Sequence, residues 1–280
     1  MIDAGAIILA GGKSSRMGSP KAALDWHGST LLRRVTGLAA RTVDGPVVVV
    51  RAPEQGLPDL ASSIEVVSDA REGRGPMQGL AAGLAAIGER AEVVYVSSTD
   101  VPLLHPAFMR HVIGAVTDDV DIVLPEIYGF RQPLSAAYRP RILPAVHALI
   151  AADQLKPAFL FDRCRVLALD AATMLRDPAL AALDPGLASV SNLNDPDDYQ
   201  AARAQPAPEI EVRGLDGLAV NGTPPARRVA AWTLGQLADT VGLVLDGRVG
   251  VALNGDRISS DRELPLATGD TVGFMHVEKP

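Results

Sequence analysis

The chain has 280 residues, 48% hydrophobic, 4% aromatic and 21% charged, with a formal net charge of -7. That length suits one medium domain with a smaller one attached, and the acidic balance excludes nucleic acid and anionic membrane as expected partners. No apolar run approaches the roughly 20 residues that span a bilayer. Met1-Ile2-Asp3-Ala4 carries no basic region ahead of an apolar one, so no secretory signal is expected. The single Cys164 cannot form an intrachain disulfide, reads as a packing residue, and fits a reducing cytoplasm.

The first apolar run, 4–9, reads as a buried strand and feeds directly into Gly11-Gly12. Lys13, Arg16 and Lys21 follow closely, against the acidic background of the whole chain. Glycine lets a backbone approach phosphates closely, and the three cations would neutralise a triphosphate. Two common phosphate loops are excluded. A Walker loop ending at Gly12-Lys13-Ser14 needs a glycine where Ile7 stands, and the adjacency of Gly11 and Gly12 breaks the dinucleotide fingerprint.

A helix is expected over 30–40, then strands over 46–51 and 64–67. Asp69 lies at the end of the latter, and Gly75-Pro76-Met77-Gln78-Gly79 is a tight turn opening a helix over 79–87. Such a turn either presents backbone groups to a base or phosphate or simply starts the helix. The run 93–97 leads through Ser98-Thr99 to Asp100, which lands at the edge of the sheet. A carboxylate beside a triphosphate is a natural Mg²⁺ ligand, since magnesium takes one or two protein oxygens and completes its shell with phosphates and water. The competing role for Asp100 is a cap on the helix expected at 106–115.

A strand over 122–124 and helices over 141–152 and 196–203 complete a β-α-β-α alternation. The strands are apolar along their length, as in a parallel sheet covered by helices on both faces; this is an α/β fold. In Ser191-Asn192-Leu193-Asn194-Asp195-Pro196, Asp195-Pro196 has the grammar of a helix start. The amides of Asn192 and Asn194 could hold a metal-bound water or a phosphate oxygen, although turn chemistry explains Asn194 equally well. His27, His105, His111, His147 and His276 all fall outside these segments, so no Ser-His-Asp grouping is suggested. A phosphate attacking a phosphate needs no protein base, because its oxygen is already anionic.

Ala204-Gln205-Pro206-Ala207-Pro208 reads as a stiff linker. The expected division is a first domain over 1–204, a linker over 205–208 and a second domain over 209–280. In the second, a strand pair is followed by a helix over 233–240, a strand over 249–253, an Asn254-Gly255 hairpin turn and a last strand over 271–277.

Leu9-Ala10-Gly11-Gly12-Lys13-Ser14-Ser15-Arg16-Met17-Gly18 with Pro20-Lys21 resembles the signature of the molybdenum cofactor guanylyltransferases, nucleotidyltransferases with a Rossmann-like, mostly parallel sheet. The likeness spans 4–203 and takes in the Gly75–Gly79 turn, Ser98-Thr99-Asp100-Val101-Pro102, Gly129-Phe130-Arg131-Gln132-Pro133-Leu134 and Asn192-Leu193-Asn194-Asp195-Pro196. It implies transfer of GMP from GTP to the terminal phosphate of the molybdenum–molybdopterin cofactor, with release of pyrophosphate. GTP would be bound by Leu9, Ala10, Gly11, Gly12, Lys21, Asp69, Gly79 and Asp100, with Mg²⁺ on Asp100. Catalysis would use Lys13, Arg16, Lys21 and Asp100, and the second substrate would lie near Arg131, Gln132, Asn192 and Asn194. The family pattern has an asparagine at the end of the second strand, where this chain has Val50-Arg51, so no nucleotide contact carries over there.

The alternatives are a CTP-dependent cytidylyltransferase and a non-catalytic carrier of pterin intermediates. Ala10-Gly11-Gly12 and the Gly-Pro turn favour guanine over the Ala-Ala-Gly of the cytidylyltransferases. Residues 209–280 resemble the β-grasp (ubiquitin-like) sulfur carriers in Val251–Gly255 and 266–272, but the sequence ends Glu278-Lys279-Pro280 rather than Gly-Gly, so sulfur transfer is not expected. Docking to other proteins of molybdenum cofactor synthesis, or to molybdoenzymes, is the partner role that this likeness implies, and a structural appendage is the equal alternative.

Overall fold

The computed structural model describes residues 3–11, 20–69, 75–214, 226–246, 248–258 and 260–276. They fall into two units, Met1–Leu24 with Thr30–Ala202 and Asp25–Ser29 with Arg203–Pro280. The division expected from composition runs unbroken through 1–204 and makes no provision for Asp25–Ser29 in the second unit.

In chain order, strand β1 (Ala4–Leu9) precedes a 3-10 turn over Lys21–Ala23, a two-stranded ribbon of β2 (Asp25–Trp26) and β3 (Ser29–Thr30), and helix α1 (Leu31–Ala40). Then come β4 (Val47–Arg51), β5 (Ile64–Ser68), α2 (Pro76–Ile87), β6 (Val93–Ser98), α3 (Pro106–Gly114), β7 (Ile122–Ile127), β8 (Phe130–Arg131) and β9 (Ser135–Tyr138). Helices α4 (Leu143–Ala151) and α5 (Ala158–Phe161), strand β10 (Val166–Asp170) and helices α6 (Ala171–Met174), α7 (Pro178–Leu183) and α8 (Pro196–Arg203) follow.

The main sheet runs β10-β7-β9-β6-β1-β4-β5, with β8 paired to β7. Strands β6, β1, β4 and β5 are mutually parallel, and β10 is parallel to β7. Strand β9 runs antiparallel between β6 and β7. The sheet is therefore mostly parallel, as the alternation implied. Strand β9 was illegible because Ser135-Ala136-Ala137-Tyr138 lacks the Val/Ile signature, yet all four residues are buried. Strand β5 departs from the expectation of two covered faces. It is the sheet edge, with Val66 exposed and Glu65 paired to Arg90 at the surface.

All six residues of β1 are buried, and its Ile7 and Ile8 each contribute roughly 1.5–3 kcal/mol of burial. Helix α2 packs on β1 through glycines. A Cβ on Gly79 would lie 3.0 Å from Leu9 Cδ2, and one on Gly83 would lie 2.6 Å from Ile7 Cγ2. Those glycines cost about 1 kcal/mol each in helix propensity, and the close approach they permit seats the start of α2 over the end of β1. From β1 the sheet grows one way to β4 and β5 and the other way to β6. The connections diverge there and leave a crevice at the strands' carboxyl ends.

In the second unit, β11 (Glu209–Gly214), β12 (Ala226–Ala230), α9 (Leu234–Val241), β13 (Val249–Leu253), β14 (Asp256–Ile258) and β15 (Thr271–His276) form a sheet ordered β12-β11-β15-β13-β14 with one helix. The first and last strands lie parallel, and the other neighbours are antiparallel. Ile210, Leu237, Val251 and Phe274 belong to its core. Asn254 (φ 53°) and Gly255 (φ 97°) make the turn between β13 and β14, in the left-handed conformation that an Asn-Gly hairpin requires. Among the described residues, no helix is long and apolar enough to cross a membrane.

Candidate functional site

A cavity of about 430 Å³ opens at the carboxyl ends of β1, β4, β5 and β6. Leu9, Val50, Ala52, Pro76 and Leu134 give it an apolar wall, while Asp69, Ser98, Asp100, Asn192 and Asn194 supply polar groups. This mixture suits a ligand with a flat apolar part and a charged part. Gly75 starts α2 at φ 81°, a left-handed conformation natural to glycine, and Pro76 occupies the first turn. Gly75, Pro76 and Gly79 all line the cavity, so the positive end of the α2 dipole lies at its wall.

Strand β6 delivers Asp100 to the polar end. Lys21 Nζ donates to Asp100 Oδ2 at 2.8 Å, and Ser98 Oγ donates to Oδ1. The two charged side chains are 22% and 19% exposed, so the pair is partly shielded and still reachable. Lys21 also donates to the Leu193 carbonyl, while the Leu193 N–H donates to the Asp100 carbonyl at 2.8 Å. Buried Leu193 is thereby held at both backbone groups, and its neighbours Asn192 and Asn194 are placed at the cavity. Asp100 does not cap α3: His105 does so, its Nδ1 accepting from the Ala107 N–H at 3.0 Å. Asp195 Oδ1 accepts from the Asp198 N–H at 2.9 Å, which is the helix start that Asp195-Pro196 implied.

On the opposite side, Gln55 ties two strand ends together. Its Nε2 donates to the Ala10 carbonyl at 2.9 Å, and its Oε1 accepts from the Ala52 N–H at 2.9 Å. The Asp69 N–H donates to the Arg51 carbonyl at 2.9 Å, which fixes Asp69 beside the cavity.

Of the residues expected at the site, Leu9, Gly11, Asp69, Gly79, Asp100, Asn192 and Asn194 line the cavity. Lys21 joins them through Asp100, and Ala10 is buried behind the wall. Gly12, Lys13 and Arg16 lie outside the described residues. Arg131 and Gln132 are not brought to the cavity. Arg131 sits over the Phe161 ring at 5.7 Å, and Gln132 Nε2 turns back to the Ile127 and Phe130 carbonyls. Sequence reasoning missed Gln55, because no motif marks a loop glutamine that bonds backbone 45 residues away. It quoted Ser98 without giving it a role, although a hydroxyl two residues before a carboxylate was the available signal. Cys164 is half-buried and packs against the main core, and burial pushes its thiol pKa up, which leaves it a poor nucleophile.

A cation fits the polar end on the chemistry of its donors. One carboxylate, a hydroxyl and two side-chain amides are hard oxygen groups of the kind that divalent metals prefer alongside phosphates.

The model of the MobA-like NTP transferase domain matches residues 6–166. A molybdenum cofactor guanylyltransferase of Desulfosudis oleivorans is 30% identical over 199 residues, 71% of this chain and 93% of that protein. A probable molybdenum cofactor guanylyltransferase of Bacillus cereus is 30% identical over 162 residues, covering 57% of this chain and 80% of its own length. Among solved structures, molybdopterin-guanine dinucleotide biosynthesis protein A from Archaeoglobus fulgidus superposes with a TM-score of 0.57 at 22% identity, over 71% of this chain and 96% of that one.

Proposed function

We propose a site-level mechanism from the premise that this chain belongs to the MobA-like NTP transferase family. The protein is a nucleotidyltransferase of molybdenum cofactor biosynthesis, transferring GMP from GTP to a molybdopterin-type cofactor and releasing pyrophosphate. The observation that carries the mechanism is the Lys21–Asp100 ion pair at the polar end of the cavity. A cation and an acid meeting where two parallel strands diverge form a receptor for a polyphosphate and its metal.

The triphosphate takes the polar end, and Lys21 exchanges Asp100 for phosphate oxygens. The carboxylate of Asp100 would then hold Mg²⁺, which would supply charge neutralisation at the phosphates. The acceptor phosphate is already anionic and needs no base, so the protein's work is to position and neutralise. Lys13 and Arg16, from the same glycine-rich stretch of sequence, would add positive charge. The guanine takes the apolar end, where the Asp69 carboxylate accepts from the two N–H donors of its pairing edge. Cytosine offers a single amino donor there and matches a carboxylate less well. Asn192 and Asn194 face the acceptor phosphate. The lone half-buried cysteine supports a cytoplasmic setting.

The strand order of the second unit, second-first-fifth-third-fourth with a helix after the second strand, supports reading it as a β-grasp module.

The test is pyrophosphate release from GTP by Asp100→Ala. A loss on the order of 10²-fold or more is expected, by comparison with removal of one preorganised charge-stabilising group. Turnover near that of the unaltered protein at saturating Mg²⁺ would remove Asp100 from the mechanism.

A further inference from the structure

We infer that Gln55 is a positioning residue for nucleotide choice. Its side-chain amide takes the place of the last rung between β1 and β4, and so sets the cavity wall on which the base is read. The inference rests on the proposed reading of this cavity as the GTP site.

Strands β1 and β4 pair in parallel from Ala6↔Val47 to Leu9↔Val50. The Ala6 N–H donates to the Pro46 carbonyl at 2.9 Å, and the Ala10 N–H donates to the Val50 carbonyl at 2.8 Å. In a parallel ladder a residue donates to one position of its neighbour and accepts from the position two further on. The next bond would therefore run from the Ala52 N–H to the Ala10 carbonyl. Gln55 takes that bond over: its Oε1 accepts from the Ala52 N–H and its Nε2 donates to the Ala10 carbonyl, both at 2.9 Å. These partners fix which way the amide faces, since a carbonyl can be met only by the NH₂ group and an N–H only by the oxygen.

A short turn delivers the side chain. The Gln55 N–H donates to the Ala52 carbonyl at 3.2 Å, Glu54 turns at φ 59°, and Arg51 Nη1 donates to the Gln55 carbonyl at 3.0 Å. Closing that turn requires only backbone groups. A half-buried side chain that doubles back to a residue 45 positions away exceeds that need.

The consequence runs through the peptide group between Arg51 and Ala52. Its N–H is held by Gln55, and its carbonyl accepts from the Asp69 N–H at 2.9 Å. A peptide group is planar, so holding one side orients the other. Asp69, the residue proposed to read the base, thus hangs from a peptide that Gln55 orients. Across the rung, Gly11 and Ala52 both line the cavity, and a Cβ on Gly11 would lie 3.4 Å from the Ala52 nitrogen. The two backbones run in close contact there, so a shift of Ala52 is felt at Gly11. One amide therefore sets both the spacing of the wall and the placement of its carboxylate.

The experiment uses the full chain. GTP with Mg²⁺ is titrated calorimetrically into the unaltered protein. KM for GTP, KM for the pterin substrate, kcat, and the ratio of kcat/KM for GTP over CTP are then measured for it and for Gln55→Met. Methionine keeps the length of the side chain and removes both hydrogen bonds. KM for GTP is expected to rise about three- to tenfold, the scale of one lost hydrogen bond, and the GTP-to-CTP ratio to fall by a similar factor. The value of kcat at saturating GTP and KM for the pterin substrate should stay where they were. A purely stabilising role would lower the midpoint of denaturant unfolding and leave KM for GTP and the ratio unchanged.

An unaltered KM for GTP with an unaltered GTP-to-CTP ratio in Gln55→Met would overturn the positioning role and leave the nucleotide site standing. Absence of GTP binding to the unaltered protein would overturn both. Should Gln55→Met fail to fold, Gln55→Glu supplies the kinetic comparison. It keeps the acceptor for the Ala52 N–H and sets an oxygen against the Ala10 carbonyl, so KM for GTP should rise at least as far, and an unaltered KM would overturn the proposal.

Discussion

Lys21 makes two contacts of different kinds, one to a carboxylate and one to the Leu193 carbonyl. Substituting it by methionine therefore removes a charge and leaves that carbonyl without its ammonium donor. Pyrophosphate release should fall about 10²-fold, as for loss of a preorganised charge, and a smaller loss at saturating GTP would mean that Lys21 serves binding alone. Asp69 makes a different kind of contribution, to base choice. Asp69→Asn replaces one acceptor oxygen by a donor that faces guanine's own donors, so discrimination between GTP and CTP should narrow about tenfold or more. Competition between the two nucleotides reads this directly. Both residues were legible in the sequence, Lys21 because it closes a glycine-rich, basic stretch and Asp69 because it follows a Val-rich run. Gln55 and the backbone of Leu193 were illegible, since their role depends on distant chain segments meeting and no local spacing encodes that.

At the scale of elements, the crevice exists because α2 lies close on β1. Gly83→Ala would drive a methyl to 2.6 Å from Ile7, whose branched side chain has no free space in a buried strand. The helix must shift, at a cost of about 1–3 kcal/mol, seen as a lower midpoint in denaturant unfolding. A second device joins the far strands. Asp121 accepts from Arg165 and Arg141 side chains and from the Arg165 N–H, which ties the start of β7 to the start of β10. The Arg165 guanidinium, followed by the Arg165 N–H and Arg141, holds its carboxyl well below the usual carboxylate range. A depressed folded pKa gives stability that is complete above the unfolded value of about 4 and is lost as pH falls through the folded value. Asp121→Asn should therefore cost about 1–3 kcal/mol at neutral pH, and the gap between variant and unaltered protein should begin to narrow below about pH 4 and go on narrowing into strong acid. A gap that persists undiminished into strong acid would contradict the ionic origin. Apart from β10, the parallel strands of the main sheet and most helices were legible from apolar runs and periodicity. Strands β8, β9, β10 and β14 were not, because they are short, alanine-rich, charged or at an edge, and their pairing partners decide them.

For the whole molecule, the main sheet carries the proposed nucleotide site at its switch point, and Asp25–Ser29 group with the later residues in the second unit. Composition marked the change of texture near Pro206, but nothing local announced that Asp25–Ser29 belongs with the later residues. Trp26 and Trp232 are 206 positions apart, and only the folded chain makes them neighbours. The most direct measurement is a crystal structure with GTP and Mg²⁺. The expected result has the triphosphate between Lys21 and Asp100, the ion pair opened, and guanine beside Asp69 at the apolar end. A nucleotide seated outside this cavity, with Lys21 still on Asp100, would contradict the assignment.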